Sequence, residues 1–186
     1  MSFPADKKIK LEIIDDDSNV VENGTVEVEW QDIKNCRTVS DMLSALGDGD
    51  DTDMELAVPL PQNNVKNIGL LNKVCEFSQF MRTDEWPTDE RKEDSPIENE
   101  LTNWEKKFVE DVDTSTLQEL ILLANYLNFS YMLESLCCGI AGLLKDKSTE
   151  EIRQQFGIKN DFTPEEEEKV KKENSFIEEA LKADGQ

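Results

Sequence analysis

The alternation of apolar and polar residues predicts three short strands in the first third of the chain. Ile9 to Ile13 and Thr25 to Trp30 both alternate as half-buried strands do, and Met54 to Leu60 is a third run that ends among prolines. Two turn signals lie between the first two strands, an acidic turn at Asp15 to Asn19 and the pair Asn23-Gly24. The pattern does not decide which of these turns closes the hairpin.

Apolar positions at helical spacing predict most of the remaining chain. The predicted helices before the last forty residues are Arg37–Leu46, Val65–Met81, Leu101–Val112, Leu117–Leu127 and Tyr131–Leu144. Asn64 is the expected cap of the second helix, and Thr116 with Glu119 has the spacing of a capping box. The order strand, helix, strand, helix indicates an α+β fold with a small three-stranded sheet.

Two more helix starts follow near the C-terminus. Ser148 with Glu151, and Thr163 with Glu166, each have the S/T-x-x-E spacing in which hydroxyl and carboxylate satisfy each other's backbone N–H groups. Pro164 suits the first helical position, and Gly157 suits the end of the preceding helix because glycine adopts a left-handed conformation without strain.

Apolar residues in this C-terminal segment exceed what such short helices can cover. Phe156, Ile158 and Phe162 lie in or beside the linker between the two helices, and Val170, Phe176 and Ile177 are separated by charged residues. Helices of roughly 8–12 residues are marginal alone in water, so these side chains need another surface. Either the core of the same chain or a second protein supplies that surface, and the sequence leaves both interpretations open.

Charge limits the partners. The 186-residue chain has 42 acidic and 20 basic residues and a formal charge of -22, which disfavours nucleic acid and anionic lipid as ligands. No apolar run approaches the roughly 20 residues of a membrane span, and the N-terminus lacks the apolar segment of a secretory signal. We therefore expect a protein-binding molecule that contacts neither nucleic acid nor membrane.

Candidate chemistry is sparse. The chain has no histidine, and its four cysteines (Cys36, Cys75, Cys137 and Cys138) form no C-x-x-C pair, so we expect reduced, mostly buried thiols and no metal site. No glycine spacing matches a phosphate-binding loop, and the acidic stretch from 47 to 53 lacks the glycine and glutamate of an EF-hand. Carboxylates in solvated runs are poor general acids, so we predict no enzymatic activity and no cofactor.

The string EEIRQQFGIKNDFTPEEEEKVKKEN, the segment LQELILLANYL and the VPLP of Val58 to Pro61 carry a family resemblance. They resemble the S-phase kinase-associated (SKP) adaptors of Skp–cullin–F-box ubiquitin ligases, which have a BTB/POZ fold. The resemblance implies a BTB/POZ-like domain over residues 1–144, with disordered loops near 47–53 and 83–99. Residues 145–186 would then form a C-terminal helical extension that binds F-box proteins.

The resemblance also implies a function and its residues. The chain would bridge a cullin and F-box substrate receptors in the cytoplasm and nucleus, with Asn125 and Tyr126 facing the cullin. The F-box-binding residues would be Phe156, Ile158, Asn160, Phe162, Val170, Asn174, Phe176 and Ile177. Phe176 stands where the family usually has tryptophan, and the residues Val20 to Gly24 are extra. Two alternatives therefore remain: a self-assembling homodimeric scaffold that uses the same apolar surface, and a diverged F-box binder that recruits no cullin.

Overall fold

The computed structural model describes residues 3–45, 56–83, 86, 101–145 and 147–184, with side chains described as far as residue 175. The predicted loop at 47–53, and all of the predicted loop at 83–99 except Thr83 and Trp86, lie outside the described residues.

The chain folds into a small sheet and a set of helices, which is the α+β class predicted from the pattern. The strands are β1 (Lys8–Ile14), β2 (Val20–Glu29) and β3 (Leu56–Pro61). The helices are α1 (Trp30–Ile33), α2 (Arg37–Ala45), α3 (Ile68–Phe80), α4 (Asn103–Glu110), α5 (Thr114–Tyr126), α6 (Ser130–Leu144), α7 (Thr149–Phe156) and α8 (Pro164–Asp184). This is the arrangement of a BTB/POZ-like domain followed by C-terminal helices.

The acidic turn, and not Asn23-Gly24, closes the first hairpin. Asp15 accepts the amide of Asn19 on its carboxylate at 2.8 Å, and the Asp15 N–H donates to the Asn19 carbonyl at 2.9 Å. β1 pairs antiparallel with β2 and parallel with β3, so β1 is the central strand. The strand register shifts opposite Asn23, whose φ is +55°. Asn23-Gly24 therefore makes an irregularity inside β2 where a hairpin turn was one of two expectations.

Two predicted helix caps are displaced in the structure, and one short helix was not predicted. Trp30, expected at the end of a strand, opens α1. The cap of α3 is Asn67, which accepts the Leu70 amide at 3.2 Å, and not Asn64. The cap of α5 is Asp113, which accepts the amide of Thr116 at 3.0 Å, and not the Thr116 box. In both α3 and α5, a residue three positions from the predicted cap, and at least as able to cap a helix, takes its place.

The core lies between one face of the sheet and helices α3, α5 and α6. Phe77 is its aromatic centre, because edge-on contacts at 5.7 to 5.8 Å join its ring to Trp104, Phe108 and Phe129. Glu105 is fully buried beneath α6 and accepts the hydroxyl of Ser135 at 2.6 Å. One carboxylate thus links α4 to α6 inside a mostly apolar core.

Two compact units make up the chain, Met1–Lys145 and Asp146–Gln186. All of the buried apolar residues found in the described parts of the chain belong to the first unit. In the second unit, α7 has no buried residue, and no described side chain of α8 is buried.

Candidate protein-interaction sites

In the second unit, local hydrogen bonds fix the ends of the helices. Ser148 and Glu151 form the predicted capping box of α7, with the Ser148 amide donating to Glu151 at 2.8 Å and the Glu151 amide donating to Ser148 at 3.3 Å. Gly157 ends α7 in a left-handed conformation with φ of 63°, as predicted. The hydrogen bonds from Ser148 hold the pKa of Glu151 below its ordinary value.

The start of α8 repeats this arrangement. The Thr163 amide donates to the Glu166 carboxylate at 2.9 Å, and the Glu166 amide donates to the Thr163 hydroxyl at 3.3 Å. Pro164 is the first helical residue, and the hydrogen bonds from Thr163 lower the pKa of Glu166. The helix runs for 21 residues, so it is about twice as long as the sequence suggested. Both helices therefore begin where their sequence signals place them, although none of their described side chains is buried.

The linker between the helices and the first turns of α8 present apolar side chains to solvent. Ile158 is 54% exposed, Phe162 46% and Val170 40%. Asn160 accepts the Phe162 amide at 3.2 Å, which fixes the turn, and the guanidinium of Arg153 lies 5.8 Å from the centre of the Phe162 ring. The linker is thus ordered by local contacts while its apolar groups stay uncovered.

The other predicted F-box-binding residues have mixed placements. Phe156 is half-buried, and Asn174 is exposed and donates to the Val170 carbonyl at 3.0 Å within its own helix. The backbones of Phe176 and Ile177 continue α8, but their side chains lie outside the described residues.

A second site lies at the end of α5. Asn125 is exposed, Tyr126 is half-buried, and Leu122, one turn earlier, is 64% exposed. These side chains line a cleft of about 280 Å³ whose other walls come from the segment leading into α3. The lining residues are Asn63, Asn64, Lys66, Leu70, Glu119, Leu122, Asn125 and Tyr126.

Contacts from two other elements fix this end of α5. Thr38 at the start of α2 donates its hydroxyl to the Tyr126 carbonyl at 2.7 Å and its amide to the Leu127 carbonyl at 3.1 Å. At the cleft rim, Lys66 pairs with Glu119 at 2.8 Å. Partial burial raises the pKa of Tyr126, against a smaller lowering by its hydrogen bond with Asn64. The end of α5 is therefore fixed by Thr38, and the side chain of Tyr126 is fixed by Asn64.

Sequence reasoning missed Leu122 and Thr38. The apolar residues of α5 occur on all sides of the helix, so periodicity could not show which of them would face solvent. Thr38 acts across 88 residues of sequence, and no local signal marks such a contact.

The cysteines, the possible metal ligands and the possible membrane spans were the other candidate features, and the following holds for the described part of the chain. Cys36 and Cys75 are buried free thiols, and burial raises the pKa of Cys75 to about 11, but Cys137 is exposed, contrary to the expectation of mostly buried thiols. Across the described ranges, no group of metal-ligating side chains converges. No helix in those ranges is long and apolar enough to cross a membrane.

Comparison with known proteins relates both sites to one family. Residues 130–177 match the family described as "Skp1 family, dimerisation domain". The chain is 35% identical over 173 residues to a Skp1-related protein of Caenorhabditis elegans, covering 93% of each chain. It is 37% identical over 140 residues to the "E3 ubiquitin ligase complex SCF subunit sconC" of Talaromyces stipitatus, covering 75% of this chain and 82% of that protein. It is also 35% identical over 161 residues to an S-phase kinase-associated protein 1 homolog of Tetrahymena thermophila, covering 86% of this chain and 92% of that one.

Proposed function

This chain belongs to the Skp1 family, and on that premise we propose that it is a non-catalytic adaptor subunit of a Skp–cullin–F-box ubiquitin ligase. Its second unit binds the F-box of substrate receptors, and the Asn125–Tyr126 end of α5 binds the cullin. The name of the Talaromyces stipitatus relative supports the assignment to such a complex. The location that the family implies, cytoplasm and nucleus, stays a prediction.

The observation that carries this proposal is the exposure of Ile158, Phe162 and Val170 in a unit in which none of the described side chains is buried. Large apolar groups held at the surface by local bonds are typical of a surface that a partner covers. Full burial of each such side chain contributes about 1.5–3 kcal/mol, which offsets much of the ordering cost of association.

The F-box surface is tested by co-purification with a panel of F-box proteins. Ile158→Glu with Phe162→Glu should weaken capture of F-box proteins at least about tenfold, because two apolar contacts are replaced by buried charges. A chain truncated after Lys147 should lose F-box capture entirely. Wild-type binding by either variant would contradict this half of the proposal.

The cullin surface is tested in the same assay. Asn125→Ala with Tyr126→Ala should lose the cullin and keep F-box proteins, and Leu122→Glu should do the same without removing a half-buried ring. Asn72→Ala with Gln79→Ala, which removes two exposed amides from α3, is the matched control and should bind both partners. A wild-type chain that captures F-box proteins but no cullin would instead identify the diverged binder.

A second candidate, a homodimeric scaffold, is favoured by the match of residues 130–177 to a domain described by dimerisation. Sedimentation velocity over a concentration series separates the two functions. If an added F-box peptide dissociates the dimer, the two partners share the surface. A dimer that persists with the peptide bound would locate self-association elsewhere.

A further inference from the structure

The last turn of α5 carries the two residues proposed to face the cullin, and a Schellman motif closes this turn from within its own segment. Asn128 takes a left-handed conformation with φ of 51°, and its amide donates to the Asn125 carbonyl at 3.1 Å. The Phe129 amide donates to the Ala124 carbonyl at 2.9 Å. The motif therefore satisfies two of the carbonyls that an α-helix leaves without a partner at its end.

Two further carbonyls at this helix end, those of Tyr126 and Leu127, receive no bond from that motif. Thr38 satisfies both, since its hydroxyl donates to the Tyr126 carbonyl at 2.7 Å and its amide donates to the Leu127 carbonyl at 3.1 Å. No other hydrogen bond reaches either carbonyl from the residues that the structure describes. One residue of α2 thus completes the hydrogen bonds at the end of α5.

Thr38 is itself anchored, so it can fix what it contacts. It is the second residue of α2, and Val39 and Leu43 of the same helix are both buried in the core. The amide of Thr38 belongs to the first turn of α2, whose N–H groups have no acceptor within that helix. The N-terminal end of α2 therefore meets the C-terminal end of α5, and the helix dipoles have opposite signs where they meet.

The two side chains presented at this helix end are held differently. Tyr126 is half-buried and has a hydrogen bond with Asn64, which follows β3. Asn125 is exposed, and its side chain has no hydrogen-bond partner among the described residues. The position of Asn125 therefore depends on the backbone of the last turn, which Thr38 holds.

We propose that Thr38 is a positioning residue of the cullin-facing surface. Its hydroxyl holds the last turn of α5 in the geometry that presents Asn125 and Tyr126, so that the partner meets a surface that is already ordered. Preorganisation of this kind lowers the entropic cost of association. The inference rests on the proposed function, because it concerns the surface assigned to the cullin.

Thr38→Val removes the hydroxyl and keeps the size and branching of the side chain, whereas Thr38→Ser keeps the hydroxyl. Isothermal titration calorimetry measures the affinity of the full chain, in complex with an F-box protein, for a cullin that the wild type captures. Thr38→Val should weaken this affinity about three- to tenfold, the equivalent of one lost hydrogen bond, and Thr38→Ser should bind as wild type. The affinity for the F-box protein should be the same in all three chains.

A destabilised control separates positioning from a general weakening of the fold. Ser135→Ala also removes a buried hydrogen bond, at 2.6 Å to Glu105, but between α6 and α4, and it should keep the cullin affinity of the wild type. Hydrogen exchange of the free chain gives a second readout. The Asn128 and Phe129 amides should exchange faster in Thr38→Val than in the wild type, and at the wild-type rate in Thr38→Ser.

Three results would contradict the inference. Wild-type cullin affinity in Thr38→Val, together with loss of the cullin by Asn125→Ala with Tyr126→Ala, overturns the inference and leaves the proposed function in place. Equal weakening by Thr38→Val and Ser135→Ala also overturns it, because the effect would then be one of overall stability. A wild-type chain that captures no cullin, or capture that none of these substitutions weakens, overturns the proposed cullin surface and the inference together.

Discussion

At the scale of single residues, two buried serines should respond oppositely to the same substitution. Ser78 has no hydrogen-bond partner for its buried hydroxyl among the described residues, so Ser78→Ala should raise the free energy of unfolding by about 1 kcal/mol. Ser135 donates to buried Glu105, so Ser135→Ala should lower it by about 1–3 kcal/mol, because the carboxylate loses a donor. Urea unfolding of both variants measures the difference.

The serine pair also shows where sequence reasoning stops at this scale. Both residues lie inside apolar-rich helices, and nothing local distinguishes a hydroxyl that faces a carboxylate from one that faces only apolar atoms. If Ser78→Ala proved as destabilising as Ser135→Ala, the hydroxyl of Ser78 would have a partner in solution that the structure does not give it.

At the scale of helices, the contact between α4 and α6 depends on one glycine. A Cβ added at Gly139 would lie 2.6 Å from a methyl of the buried Val109, while one added at Gly142 would meet nothing within 4 Å. Both alanine variants gain the same helix propensity of about 1 kcal/mol. Gly142→Ala should therefore be stabilised, and Gly139→Ala should be less stable than Gly142→Ala by about 1–3 kcal/mol, the cost of overpacking.

Thermal and urea unfolding of the two glycine variants check this difference. Equal stabilisation of both would mean that α6 can move away from Val109 without cost. The two glycines lie three residues apart on the same helix, and only the three-dimensional packing shows that an added Cβ would meet a neighbour at Gly139 and not at Gly142.

Helix ends were predicted best from sequence wherever the capping signal is local and no neighbouring residue could cap the helix instead. The boxes at Ser148 and Thr163 and the left-handed Gly157 are present as expected, because each motif satisfies backbone groups within four residues. The caps of α3 and α5 were displaced because several residues able to cap lie side by side, and tertiary packing selects among them. The same competition between two turn signals left the first hairpin undecided.

At the scale of the whole molecule, the chain forms two compact units that differ in the distribution of their apolar residues. The first unit has long helices with continuous apolar faces, and the second has short apolar groups between charges. The sequence could not show whether the core of the same chain or a second protein covers those apolar groups, because their exposure depends on the three-dimensional packing of the rest of the chain. The exposed Ile158 and Phe162 show that the described part of this chain leaves them uncovered.

This division predicts that the first unit is stable without the second. A chain truncated after Lys147 keeps all of the buried apolar residues that the structure describes, so its unfolding midpoint in urea and its m-value should match those of the full chain. The thermal midpoint should stay within about 2 °C, which corresponds to less than about 1 kcal/mol for a chain of this size. Circular dichroism should show the loss of the helical signal of α7 and α8 alone.

The double variant Ile158→Glu with Phe162→Glu is the control, because it should leave the midpoint unchanged at full length. A truncated chain with a lower midpoint or a broadened transition would mean that the first unit needs the second to complete its core, and the exposed apolar groups could then no longer be assigned to a partner.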